Sequence, residues 1–165
     1  MRLRRPKDDG QTDRVTPRIT RVAVDQIIDA APQVVWDAVT DWPTQSAWML
    51  GTHVTAGRAG GVGVGGEFEA FTGIGKFGFR DPMVITEWQP PRRCIVTHTG
   101  AVVRGIGIIE VQELPGARSR LMWIEELDLP GGVVGRLAWP VARPVVVWGV
   151  RHSLRRLSRV LERSH

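Results

Sequence analysis

The chain has no tyrosine, one cysteine and only two lysines in 165 residues. A single cysteine, Cys94, excludes an internal disulfide framework and fits a reducing compartment. The four histidines, His53, His98, His152 and His165, show no metal-ligand spacing with it. There is no Gly-x-Ser-x-Gly nucleophile elbow. No apolar run reaches the roughly eighteen residues that a membrane-spanning helix needs. The opening Met1-Arg-Leu-Arg-Arg-Pro-Lys-Asp-Asp has no apolar stretch behind its charges, so it does not read as a secretory signal. These absences predict a soluble, cytoplasmic protein with no metal and no cofactor.

What is present is arginine, glycine and tryptophan. Residues 1–18 hold six Lys/Arg against three Asp/Glu, and residues 136–165 hold seven Arg against one Glu. The stretch between them has nine Lys/Arg and thirteen Asp/Glu. The net charge of +5 therefore sits in a basic arm and one C-terminal segment, while the middle is mildly acidic. Such a basic segment either meets anionic lipid or nucleic acid, or is a solvated face. The length suits one domain with a sizeable core. Residues 1–18, polar and without periodicity, are expected to form a flexible arm. Residues 19–165 are expected to form a single domain.

Taken in order, Ile19–Ala30 alternates as a strand, with Val22, Val24 and Ile28 on one face. Pro32 opens a helix whose Val35, Trp36 and Val39 share a face. Asp41 is the expected N-cap of a second short helix ending near Trp48. Up to Gly135 the pattern is strand and turn: 53–58, 66–72, 83–88, 93–99, 102–114 and 120–129. With no helix between them, these predict an antiparallel meander. The C-terminal segment then reads as a long helix, with Val147, Val150, Leu154, Leu157 and Leu161 on one stripe. Pro140 and Pro144 predict a kink or break, with the long helix starting at about Val145.

Two glycine patterns, Gly61/Gly63/Gly66 and Gly73/Gly75/Gly78, match a dinucleotide fingerprint in spacing. Neither leaves a strand to enter a helix, so neither supports nucleotide binding. They read as hairpin glycines, and Gly73–Gly78 as a mobile rim loop. His98 shares a strand face with Val96 and Cys94. It is either a hydrogen-bonded core histidine or an inward functional one. Glu125 falls on the strand face of Leu121, Trp123 and Leu127. A carboxylate on an apolar face needs a partner, a ligand or an exit to water.

Several runs, in this order, are similar to one family. They are Ile28-Asp-Ala-Ala-Pro-Gln-Val-Val-Trp36, Thr40-Asp-Trp42 with Trp48-Met49, and Glu87-Trp-Gln-Pro-Pro-Arg92. Ser119-Arg-Leu-Met-Trp-Ile-Glu125 and the arginine-studded C-terminal helix complete the set. The chain resembles the START-like SRPBCC superfamily over roughly 19–163, in particular its polyketide cyclase/dehydrase branch. The resemblance implies an α+β helix-grip fold, with an antiparallel sheet of six or seven strands wrapped around a long C-terminal helix. Two short helices would follow strand one, and a cavity would lie between sheet and helix. It implies binding of lipids, polyketides or other hydrophobic molecules, and transfers no catalytic residue. The inward positions expected to line the cavity are Phe68, Val96, His98, Ile109, Val111, Trp123, Glu125, Leu127 and Trp148.

Three functions follow. The first is binding or transport of a hydrophobic small molecule, with His98 and Glu125 orienting its polar end. The second is a cyclase, aromatase or dehydratase using His98 and Glu125 as acid and base, which requires that they converge. The third is contact of the arginine-rich helix with an anionic membrane or nucleic acid. Nucleic acid is the weaker partner here, because no base-stacking aromatic set accompanies the arginines. Peripheral membrane contact stays open, and nothing signals an oligomeric state.

Overall fold

The structure, a computed structural model, describes residues 19–128 and 132–163. The basic arm over 1–18 and the last residue of the final expected strand, Leu129, lie outside them. Seven strands are present among the described residues: β1 Ile19–Ile28, β2 Thr52–Ala56, β3 Glu67–Ile74, β4 Phe77–Gln89, β5 Arg93–His98, β6 Arg104–Leu114 and β7 Arg118–Asp128. All neighbours pair antiparallel, in the order β1-β7-β6-β5-β4-β3-β2. After β1 come helix α1, Pro32–Thr40, and a 3₁₀ helix, Trp42–Ala47. Helix α2, Gly132–Glu162, closes the chain. The expected helix-grip arrangement is thus present.

Alternation sets the sheet's two faces. Val22, Val24 and Ile28 of β1, Met83 and Ile85 of β4, Cys94 and Val96 of β5, Ile109 and Val111 of β6, and Leu121 of β7 all enter one core. Val35, Trp36 and Val39 of α1 join it, as do Leu154, Leu157 and Leu161 of α2. The outer face carries ion pairs, such as Arg93 between Glu87 (3.2 Å) and Glu110 (2.6 Å). Ser119 Oγ donates to the Ala30 carbonyl at 2.8 Å, fastening the start of β7 to the β1–α1 junction.

Three local expectations change. The prolines predict a kink or break with the long helix starting at about Val145, yet α2 extends continuously from Gly132 through Pro140 and Pro144, so there is no break there. Both prolines are exposed, so the carbonyls that lose an N–H partner can be reached by water. Asp41 precedes the 3₁₀ helix but makes no side-chain cap; its backbone carbonyl accepts from Thr44 instead. Gly73–Gly78 is no open loop: β3 and β4 pair through Gly73↔Gly78 to Ile74↔Phe77, leaving only Gly75-Lys76 as the turn. A Cβ on either paired glycine would run into partner-strand backbone.

The C-terminal half of α2 holds the grip. Leu154 and Leu157 are fully buried, and Ser153 Oγ accepts from the Leu50 amide (2.9 Å) while donating to the Gly149 carbonyl (2.8 Å). Arg156 donates to the Ala47 carbonyl at 2.8 Å. Among the described side chains of the N-terminal half, many apolar ones are exposed, and Trp139, Val147 and Val150 are partly packed on the core. Leu157→Ala should therefore lower unfolding free energy by about 2–5 kcal/mol through the cavity it leaves. Denaturant melts would show this as a lower midpoint with an unchanged slope.

Candidate functional site

The core-facing side of the sheet carries one connected group of titratable side chains. Asp81 lies on β4, His98 at the end of β5, and Trp123 and Glu125 on β7. His98 Nδ1 is 2.8 Å from Asp81 Oδ2, and His98 Nε2 is 3.1 Å from Glu125 Oε2. Trp123 Nε1 donates to Glu125 Oε1 at 2.7 Å. His98 and Asp81 are buried, and the Glu125 side chain is only 15% exposed. Asp81 Oδ1 is also buried and has no hydrogen-bond partner among the described residues.

The His98–Glu125 bond spans a strand. β5 and β7 are both neighbours of β6, so they stand two strand spacings apart, about 9–10 Å. Register places Val96, Gly107 and Glu125 in one row, with His98 one pair further along, opposite Gly105. Gly107 is what lets the imidazole reach. A Cβ there would sit 3.0 Å from Val96 Cγ2, 3.2 Å from Glu125 Oε2 and 3.4 Å from His98 Nε2.

Burial alone would pull the imidazole pKa down. Its hydrogen bonds to Asp81 and Glu125, and their negative charges, outweigh that and raise it to about 9. At neutral pH His98 is therefore an imidazolium whose two N–H groups are both donated to carboxylates. It has no lone pair to accept a proton. Both Glu125 oxygens are likewise engaged, which leaves Asp81 Oδ1 as the group's free acceptor. Cys94, deep in the core and nearby in sequence, is pushed up to about 12 by burial and by the charge of Glu87, so it is an unreactive thiol. Among the described residues no group of three or more His, Cys, Asp and Glu side chains could hold a metal ion.

The sequence-predicted residues divide. His98, Glu125 and Trp123 come together, and Val96, Ile109 and Val111 are buried beside them on the same face. Phe68 is buried under Trp42, their rings stacked at 4.0 Å. Leu127 is half-buried. Trp148 is not brought to the group. It is 58% exposed and stacks on His152 with ring centroids 5.4 Å apart, because it falls off the buried stripe of α2. Asp81 escapes sequence reasoning. The sequence pattern starts its strand at Met83, whereas β4 begins at Phe77 and so carries 79, 81, 83 and 85 on alternating positions of one face. Three more tryptophans crowd this side: Trp48 meets Trp123 edge-on at 6.4 Å, and Trp36 meets Trp88 at 5.0 Å.

A family model described as polyketide cyclase / dehydrase and lipid transport matches residues 20–162. The chain belongs to this family. Solved structures agree on the fold. A Thermus thermophilus protein superposes with a TM-score of 0.75 at 14% identity, covering 88% of this chain and 99% of its own. A Rhodobacter sphaeroides protein gives 0.69 at 17% identity, with 88% and 94% covered. An Arthrobacter aurescens protein solved by NMR gives 0.67 at 15% identity, with 87% and 86% covered. At these identities the likeness concerns the fold alone. No curated protein matches the chain by sequence.

Two measurements check the site. Because the folded pKa of His98 lies above the unfolded value of 6.5, its contribution to stability is fully present below pH 6.5 and is lost as pH rises through about 9. The stability gap between the wild type and His98→Gln should accordingly shrink across that window in denaturant melts. A gap that stays constant from one end to the other would contradict the charged triad. Separately, Gly107→Ala should push His98 and Glu125 apart and lower the His98 pKa, read by NMR titration of the imidazole. An unmoved titration would show that Glu125 does not hold the proton.

Proposed function

We propose that this protein binds a hydrophobic small molecule, lipid- or polyketide-like, between the concave face and the N-terminal half of α2. The observation that carries the reading is the hydrogen-bonded Asp81–His98–Glu125–Trp123 chain, set among largely apolar side chains. Binding sites for such ligands are apolar with a few placed polar groups that fix orientation. The family description, which names polyketide cyclases, dehydrases and lipid transport, supports the same ligand class. Asp81 Oδ1 would take a hydroxyl or amine donor from the ligand's polar end, since it is the free acceptor.

Holding a ligand fits the group better than acid–base catalysis does. A general base needs an accessible lone pair near the operating pH. His98 has both nitrogens committed and a pKa of about 9, and each Glu125 oxygen already accepts one hydrogen bond. The cyclase or dehydratase reading would need the ligand to displace one of these bonds.

Native mass spectrometry of gently purified protein, with organic extraction, tests the proposal. We expect a reproducible adduct of roughly a few hundred daltons, the size an ordinary pocket encloses. In Trp123→Ala and Asp81→Asn the adduct should weaken while the melting curve stays cooperative. A clean apo mass for the wild type, or equal occupancy in all three proteins, would sink the reading.

A further inference from the structure

One end of the molecule gathers apolar side chains that the core does not use. The β3–β4 turn, the β5–β6 loop and the end of β7 all lie at this end, because antiparallel pairing brings the end of β3, β5 and β7 beside the start of β4 and β6. At the hairpin tip Ile74 is 86% exposed and Phe77 is 89% exposed. Val102 in the neighbouring loop is exposed too. Leu137 and Val141, in the early turns of α2, are 76% and 77% exposed. They share the outward side of the helix, opposite the stripe of Val150, Leu154 and Leu157.

The charges at this end are basic. Lys76 sits in the hairpin turn between Ile74 and Phe77, and Arg80 follows it, paired with Glu69. Arg104 opens β6, whereas Arg143 lies on the face of α2 away from Leu137 and Val141. Lys76, Arg104 and Arg143 show no ion-pair partner among the described residues, and the opposing acid at the edge is Asp128. Lys76 and Arg80 also line an open concavity of about 740 Å³ walled by Phe71, Phe79 and Val102. Apolar walls with two cations at the rim match a phosphate headgroup with acyl chain beside it. A hairpin carrying two bare hydrophobes around a lysine would place its apolar tip below the headgroups and the ammonium among them.

We infer that this end docks on the surface of an anionic lipid bilayer, with Ile74 and Phe77 inserted and Lys76, Arg80 and Arg104 against the headgroups. The docking surface differs from the arginine-rich stripe that the sequence points to. Arg151, Arg155 and Arg159 lie further along α2. The proposal stands apart from the ligand reading, because it concerns the outer surface and its readout is whole vesicles.

The test is co-sedimentation of the full chain with vesicles of phosphatidylcholine alone and of phosphatidylcholine mixed with phosphatidylglycerol. We expect binding to the anionic vesicles that weakens as salt rises. The double variant I74S/F77S should bind about tenfold more weakly or worse, since two large side chains no longer leave water. Lys76→Glu should lose affinity for the anionic vesicles specifically. All three residues are exposed or in the turn, so melting temperatures should not move. Three results would overturn the inference: no preference for anionic vesicles, wild-type binding by I74S/F77S, or self-association in solution that I74S/F77S abolishes, which would make a second copy the occupant.

Discussion

An imidazole shared by two buried carboxylates is the constraint on which the concave face depends. Asp81 and Glu125 are two carboxyl groups on one largely buried face, and buried charges are rarely found unpaired. His98 supplies the partner, and the supply works only because three separate features coincide. β4 is long enough to bring Asp81 level with the end of β5. The register of β5, β6 and β7 puts Glu125 in the row beside His98. Gly107 then leaves the intervening strand bare, so that two side chains on non-adjacent strands meet at 3.1 Å. A glycine usually weakens a strand interior, since it adds entropy to the unfolded chain and packs nothing. Here that loss is offset by a charge-assisted bond that a side chain at the position would obstruct.

The charge state of the group also decides its chemistry. With one imidazolium and two carboxylates, it carries a net negative charge and presents acceptors, not donors. A ligand that met it would do so with a hydroxyl or a cation. Trp123 closes the chain by engaging Glu125, which keeps that carboxylate from swinging outward and fixes the indole over the sheet. The same tryptophan meets Trp48, so polar group and aromatic wall are positioned together.

How far this is legible in the sequence follows from the kind of signal involved. Alternation puts His98 and Glu125 on the apolar faces of their strands, because parity along a strand survives any tertiary context. That they touch is not legible, since it depends on register between three strands and on what Gly107 lacks. Asp81 is hidden by the glycines before it. Gly73, Gly75 and Gly78 read as a loop, yet two of them are paired strand residues whose missing side chains let the hairpin backbones and the Phe71 ring pack closely. Trp148 is a different case, because its own helix holds the answer. The stripe through Val147, Val150, Leu154 and Leu157 leaves position 148 well to one side. The expected helix break fails for another reason again. Proline's effect on a helix depends on whether the freed carbonyls are buried, and the surface at 140 and 144 is open to water.

That last point bears on how the grip is built. The two halves of α2 are attached very differently. From Ser153 onward the helix is buried against β1 and held by Ser153 and Arg156 to the segment before β2. Before it, the helix carries both prolines, Gly149 and a run of exposed valines, and among the described side chains Trp139, Val147 and Val150 pack partly on the core. A helix segment with fewer buried contacts and two missing backbone donors opens at lower free energy than the segment it continues. The strongly held half covers the fully buried core, and the weakly held half is the part of α2 that opens more easily. Any motion that admits a molecule to Asp81, His98 and Glu125 would therefore draw on the first half of α2 and leave the second in place. Two prolines whose spacing suggests a helix terminator are better understood as what makes the two halves unequal.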